Sequence, residues 1–401
     1  MPKNILVVIN TLGRAGAEMA LLELLERFDS PEYQVELYVL LGQGELADRI
    51  PGHVKLLNTH YSRESVHSAE GRKVMTNTVL KAMLRRGTVF RKLPYLLGNA
   101  FDMLGKHRFQ TEKLLWRIVS DGAEYYPEKE YDLAVAFIEG GAAYYVMDHV
   151  KALKKVAYLH IDLKMSGYTR KLDQDCYLKY DMIFPISEET MKSFLEVYPE
   201  CAGKTQVFHN IINQKKILEK AELPGGFDDD YPGTRILTVA RLNKQKAFPI
   251  AIETMAKLKK AGVNARWYVL GEGEERKNLE QLIEEKKLKK DFVLVGAVDN
   301  PYPYFRQTDL YVHATAYEGK SIAIQEAQTL ACSIIVSDII SNRQQVTDGE
   351  DGIVCKADPD CLKEAIIELI RNPQKAKWIG QNAARREMDY EKDFHRLVDL
   401  L

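Results

Sequence analysis

The stretch "NILVVINTLGRAGAEMALLELLERF" (residues 4–28) decides the fold. Its first seven residues form an apolar, β-branched run that fits a strand buried on both faces. From Gly16 the apolar positions change to helical spacing. A glycine-containing turn joins the two patterns. Strand, turn and helix in this order open a parallel sheet covered by helices. The same alternation continues through "QVELYVLL" (34–41), "DLAVAFI" (132–138), "KVAYLHI" (155–161) and "MIFPIS" (182–187). It breaks at "ELPGGFDDDYPG" (222–233), whose Gly, Pro and Asp content reads as a linker. It then restarts with strands at 235–240, 265–271, 292–296, 310–315 and 333–338, separated by helices at 247–261, 274–286 and 321–331. Three further helical segments, near 359–371, 373–388 and 390–401, close the chain. Two doubly wound, Rossmann-like α/β halves are therefore expected. Ligands in such sheets sit at the carboxyl ends of strands, so a cleft between the halves is the expected site.

The totals agree with two soluble domains. The chain has 401 residues, 46% hydrophobic and 28% charged, with a net charge of −1. Its five cysteines show no C-x-x-C pair and no metal-ligand spacing, which suits free thiols in a reducing compartment. No uninterrupted apolar stretch is long enough to span a bilayer, and the amino terminus reads as a strand rather than a signal peptide. A cytoplasmic location is expected.

The near-zero total hides a local imbalance. Residues 72–117 hold eleven Lys and Arg against two acids, Asp102 and Glu112, a net of +9. Leu, Phe, Met and Trp116 are interleaved with the cations. A basic amphipathic segment of this kind binds an anionic membrane surface, or packs its apolar stripe on its own domain. The aromatics have no nucleic-acid-binding arrangement, and no nucleic-acid partner is expected.

Three constellations carry chemistry. "AYEGKSIAIQEA" (316–327) places Glu318 at a strand's carboxyl end and Glu326 within the following helix. The loop Gly319-Lys320-Ser321 between them presents backbone N–H groups at a helix start, an anion site by construction. Spacing alone leaves open a helix-start acid beside an unrelated surface acid. "TVARLNKQKAF" (238–248) sets Arg241 and Lys246 just past a strand, where two cations suit a diphosphate. "VLGEGEE" (269–275) follows a strand with glycines, of which Gly271 lets a ligand approach the backbone.

In this order and spacing these residues resemble the retaining GT-B glycosyltransferases of glycosyltransferase family 4. The resemblance covers nearly the whole chain and is strongest over 234–355. Glu318 and Glu326 match the family's E-x7-E motif, and Arg241 and Lys246 its basic pair. "VTDGEDGIVC" (346–355) matches a family turn, and "VFHNIIN" (207–213) the entry to the linker, with Asn210 at its asparagine. Gly16 in "GRAGAEMALLELL" is the best match to the first-domain glycine loop. Three departures stand out: Ala247 where many relatives have Gly, Cys332-Ser333 in place of a Gly-Pro step, and Ala15-Gly16 in place of a glycine pair.

The resemblance implies an acceptor-binding domain over 1–212, a linker over 213–233 and a nucleotide-sugar-binding domain over 234–385. The C-terminal helix, 386–401, then returns to the first domain. It implies a UDP-sugar or GDP-sugar donor and a glycan or lipid-linked acceptor, with neither metal nor cofactor. Arg241 and Lys246 would neutralise the diphosphate. Glu318 would contact the donor sugar and Glu326 the ribose, with the backbone of Gly319, Lys320, Ser321 and Ile322 on sugar or phosphate oxygens. His160, in "YLHID", would lie near the reacting sugar. Glu139, in "IEGG", is a further acceptor candidate, and the roles of Asp162 and Lys164 are open. "SEET" from Ser187 and Glu188 reads as a helix cap. Surface-polysaccharide assembly at the inner face of the cell membrane is the implied setting.

Rival readings are a sugar-nucleotide epimerase of the same architecture, a non-catalytic transferase partner and a nicotinamide dehydrogenase. The last fails on "NTLGRAGAE", which lacks G-x-G-x-x-G, and on the absence of an acid ending the second strand.

Overall fold

A computed structural model describes residues 2–66, 68–105, 111–125, 127–163, 166–316, 320–386 and 391–401. The chain divides into two compact units: Met1–Ile211 with Asp389–Leu401, and Ile212–Met388. Unit 1 holds strands β1 (Lys3–Ile9), β2 (Tyr33–Val39), β3 (Val54–Leu56), β4 (Glu130–Ala136), β5 (Lys151–Leu159) and β6 (Met182–Pro185) in the order β3-β2-β1-β4-β5-β6. Unit 2 holds β7 (Thr234–Val239), β8 (Ala265–Leu270), β9 (Phe292–Gly296), β10 (Leu310–His313), β11 (Ile334–Ser337) and β12 (Ile353–Cys355) in the order β12-β11-β10-β7-β8-β9. All these pairings are parallel. The two orders are the same once each sheet is counted from its own first strand. Both are the doubly wound order with a reversal between the first and fourth strands, where ligands of such sheets bind.

The strand cores explain the register. Ile5 to Ile9 are all fully buried, as are Leu133 to Ala136, so β1 and β4 are covered on both faces. The core of unit 1 is rich in tyrosine, with Tyr131, Tyr144, Tyr145, Tyr177, Tyr180 and Tyr198 almost wholly enclosed. Several hydroxyls find partners: Tyr144 and Tyr198 donate to Asp173, at 2.6 and 3.1 Å, and Tyr180 donates to the carbonyl of Ala143. β3 and β12 are three residues each, too short to show a period in sequence. β12 is the end of the turn read at 346–355.

The expected linker is a built part of unit 2. Helix Gln214–Ala221 occupies its first third, capped by the side chain of Asn213, which accepts from Lys216 N at 3.0 Å. It packs on helices Tyr302–Gln307 and Ile322–Thr329, and Asn300 Nδ2 donates to Lys220 O at 2.8 Å. Further on, Asp229 accepts from Arg235, Arg266 and Tyr268 and is held at about pKa 2, its burial outweighed by those donors. The Asp-rich composition that reads as a linker here supplies a docking carboxylate.

The basic segment folds into helices Ala69–Leu84, Thr88–Arg91, Leu93–Gly105 and Thr111–Asp121 of unit 1. The final helix, Glu391–Val398, also lies in unit 1: Asp393 accepts from the backbone N–H of His209 at 2.9 Å, and Phe394 meets Phe28 edge-on at 5.1 Å. Among the described residues no helix is long and apolar enough to cross a membrane, and no group of three or more His, Cys, Asp or Glu could hold a metal ion.

Candidate active site

In unit 2 the loops after β7 and β10 meet at the reversal point. Thr238 Oγ1, near the end of β7, donates to Val312 O of β10 at 2.6 Å. Beyond the strands, the carbonyl of Gln245 accepts from Ala316 N at 2.9 Å and from Thr315 Oγ1 at 3.1 Å. These bonds fix the Arg241–Lys246 loop against the loop that leads to the glutamate motif. Asn243 caps the turn Lys244–Lys246 by accepting from Lys246 N. Arg241 is exposed, and its guanidinium has no partner among the described residues. Glu318 and Gly319 lie outside the described residues.

Helix Ile322–Thr329 begins at Ser321, which is buried and makes no side-chain cap. Its first-turn N–H groups are therefore not taken by a cap. Lys320 lies just before it. Burial, with the nearby Arg386 guanidinium, pulls its ammonium down to about pKa 8. Arg386 is itself held by Asp351, Thr347 and the carbonyl of Gln344, which ties the 346–355 turn to this corner. Glu326 is half-buried on the same helix and accepts from Tyr302 Oη at 3.0 Å.

Two glycine-related readings gain a physical reason. Gly271 adopts φ +143°, and a Cβ there would stand 2.0 Å from the carbonyl of Ala240. Its glycine is required by the close approach of the β7 exit, which is independent of any ligand. Ala247 adopts the left-handed conformation, φ 45° and ψ 33°, where glycine is the residue of least strain. Cys332 and Ser333 both pack: Sγ of the first donates to Phe305 O at 3.3 Å and Oγ of the second to Ala376 O at 2.6 Å.

Unit 1 builds a different reversal point. Asn10, ending β1, donates to Glu139 O at 3.1 Å and accepts from Ala142 N at 2.7 Å, so one amide spans the β1–β4 gap. The Glu139 carboxylate is buried and accepts from His160 N at 2.9 Å, and burial raises its pKa above the ordinary carboxylate range. The turn after it needs glycine: Gly140 has φ +76°, and a Cβ would lie 2.6 Å from Tyr168 Oη. The His160 ring stands beside Phe137 and Tyr158, at 5.1 and 6.4 Å between centroids. Burial lowers its pKa to about 4, and the ring hydrogen-bonds the backbone of Phe137. Nε2 is buried and has no partner among the described residues. The ring is thus neutral, with Nδ1–H engaged and the Nε2 lone pair free to accept.

The remaining sequence candidates sort by contact. Gly16 opens helix Gly16–Glu26, whose N-cap position, Ala15, offers no side-chain cap. Asn210 is buried in unit 1. Ser187 caps helix Glu188–Val197 by accepting from Thr190 N at 3.2 Å. Asp162 accepts from Ser193, and Lys164 lies outside the described residues. Sequence reasoning passed over Asn10, Tyr302 and the Gln245 carbonyl. For Asn10 a signal existed, a polar residue closing an otherwise apolar strand. The other two act through distant partners that no local pattern shows.

Residues 229–386 match the family model described as glycosyl transferases group 1. Among curated proteins, the chain is 26% identical over 218 residues to the N-acetylgalactosamine-N,N'-diacetylbacillosaminyl-diphospho-undecaprenol 4-alpha-N-acetylgalactosaminyltransferase of Campylobacter jejuni, covering 54% of this chain and 58% of that one. It is 26% identical over 163 residues to the alpha-monoglucosyldiacylglycerol synthase of Acholeplasma laidlawii, covering 40% of each. The chain thus spans about half the length of the curated relatives it matches. Among solved structures, Anabaena HepE in complex with UDP-glucose superposes with a TM-score of 0.67 at 15% identity, covering 99% of this chain and 98% of that one. The fold is the two-domain α/β GT-B fold, shared with this structure.

Proposed function

We propose, from the membership of residues 229–386 in the glycosyl transferases group 1 family, that the chain transfers a sugar from a nucleoside-diphosphate sugar to a glycan or lipid-linked glycan, retaining configuration. The observation that carries this reading is the junction at Gln245, which brings the Arg241–Lys246 loop beside the loop leading to Lys320 and Ser321. Arg241 and Lys246 just past β7, with Lys320 and the uncapped helix N-terminus that follow β10, suit a diphosphate.

Cleavage of the sugar–phosphate bond places negative charge on the departing nucleoside diphosphate. Arg241 and Lys246 neutralise that charge, and a preorganised donor of this kind contributes most when charge develops in the transition state. Lys320, desolvated and repelled by Arg386, gains most from an arriving phosphate. Glu326, oriented by Tyr302, accepts from the ribose hydroxyls, and Glu318 accepts from the sugar. The two acids share one short segment, so they do not flank the reacting carbon as a double-displacement pair does. Front-face attack, with the leaving phosphate taking the acceptor's proton, keeps the configuration without a protein nucleophile.

On the acceptor unit, the lone pair of His160 Nε2 accepts a hydrogen bond from a sugar hydroxyl once the side chains that enclose it move aside. Gly16 and the start of its helix line the same strand ends, with Glu139 held for the acceptor. UDP is favoured over GDP because HepE, of the same fold, is solved with UDP-glucose. The +9 segment 72–117 favours an acceptor met at an anionic membrane surface, in polysaccharide assembly.

The test is a thermal-shift series with UDP, GDP and ADP and their sugars, without added metal. Stabilisation by one uridine or guanosine donor, lost in Lys246→Ala and Glu326→Ala, is the expected result. A protein indifferent to every nucleotide sugar would overturn the reading. Donor conversion to another sugar nucleotide without acceptor would make it an epimerase instead.

A further inference from the structure

Helix Leu93–Gly105 is apolar on two sides. Its inner row, Tyr95, Asn99 and Met103, is buried, and the two apolar members pack with Leu114 and Leu172. Its outer row, Leu93, Leu97, Phe101 and Leu104, is 48, 51, 71 and 59% exposed. These positions fall at i, i+4, i+8 and i+11, one stripe along the helix. Phe90, at 78%, and Leu84, at 74%, precede the stripe. With Leu80 they make seven of the fourteen large apolar side chains left exposed among the described residues, all within 80–104. Single exposed leucines need no explanation, but a clustered row does.

The charge around the row identifies what covers it. Lys81 and Arg91 lie on the same stretch, exposed and without partners among the described residues. The one acid within 80–104, Asp102, is neutralised by Lys171 at 2.7 Å, whose ammonium also donates to Gly98 O at 2.9 Å. The stretch is therefore cationic, with its single negative charge already paired. A second copy of this chain would bring a like-charged +9 segment against the first, which repels at ordinary ionic strength. An anionic lipid bilayer offers both a fluid apolar layer for the row and negative headgroups for the cations.

We propose that Phe90 and the outer row of helix Leu93–Gly105 insert into the headgroup–acyl boundary of an anionic membrane, with Lys81 and Arg91 seated on its phosphates. This names the contact surface for the membrane part of the proposed function and is independent of its donor chemistry. The helix lies in the membrane plane, tethered to its unit by the inner row and by Lys171.

The experiment is sedimentation of the full-length protein with vesicles of phosphatidylcholine alone and of phosphatidylcholine with phosphatidylglycerol. Expected is binding to the anionic vesicles, at least tenfold weaker in the Leu97→Ser, Phe101→Ser double variant and in the Lys81→Glu, Arg91→Glu variant, and weakened by salt. A native-like circular dichroism spectrum and unfolding midpoint of each variant check that its first unit is folded, and the nucleotide thermal shift reads the donor site separately. Equal binding by the double serine variant and the native chain would overturn the proposal. So would a concentration-dependent dimer abolished by Phe101→Ser, which would give the row to a second copy. So would an absence of binding at low salt.

Discussion

The two sheets share a strand order, yet they furnish their reversal points with opposite chemistry. In unit 2 the strand ends carry Arg241, Lys246 and Lys320, cations at least partly open to water. In unit 1 they carry Asn10, Glu139 and His160, of which Asn10 and Glu139 are buried, and the carboxyl and the imidazole are both shifted toward their neutral forms. On the proposed function, one fold thus serves an anion at one sheet and uncharged hydroxyls at the other. The lesson is that the fold places the ligand and the local charge chooses it.

That contrast is most exposed to failure at the cations. Arg241→Ala and Lys246→Ala should each lower kcat/KM about 10²–10³-fold, the usual loss for one preorganised charge-stabilising group. Steady-state kinetics with the donor found by the thermal-shift series checks this, and near-native turnover in both would end the anion assignment. Lys320 sharpens it through pH. A bound phosphate favours the ammonium, so UDP affinity should fall as pH rises through about 8, and Lys320→Gln should flatten that fall. Titration calorimetry across pH 7 to 9.5 reads it.

The neutral site makes the converse demand. His160→Ala should lower kcat/KM about tenfold, the scale of one lost neutral hydrogen bond, while leaving UDP affinity unchanged. A pH–rate limb near 6.5 removed by that variant would show a titrating, not a neutral, histidine.

Behind that site lies a buried acid. Burial raises Asp173 to about pKa 6 despite the hydroxyls of Tyr144 and Tyr198, which hydrogen-bond its carboxylate. The folded state therefore holds this proton more tightly than the unfolded chain. Its contribution is present below about pH 4 and is lost as pH rises through about 6. Denaturant midpoints at pH 4, 5, 6 and 7 should show this loss in the native chain and not in Asp173→Asn. The smallest effect belongs to Ala247→Gly, which relieves a left-handed alanine and should raise stability by about 0.5–1 kcal/mol without changing activity.

How much of this was legible follows from range. The basic pair was readable because Arg241 and Lys246 follow a strand within a few residues. The departure at Ala247 was readable as a missing glycine, but its left-handed φ was not. In 222–233, Gly, Pro and Asp mark a linker locally, but the partners of Asp229 were not legible, because it finds Arg235, Arg266 and Tyr268 only when β8 is in place. The +9 segment was visible as a composition. Which of its leucines face outward was not, because helix Leu93–Gly105 has apolar residues on both sides and periodicity cannot rank two apolar faces.

The sequence by itself determined the alternation of strands and helices, the two-unit division and the order of the charged motifs. Those properties rest on hydrophobic period and spacing, which act over a few residues. Tertiary structure alone decided which strands adjoin, and so put the Gln245 carbonyl under Thr315 and Ala316, and the Asn10 amide across to Glu139. It also left His160 neutral, with one buried lone pair that has no partner among the described residues. These outcomes depend on burial and on partners scores of residues away in the chain, and burial is a property of the packed fold that no local stretch contains.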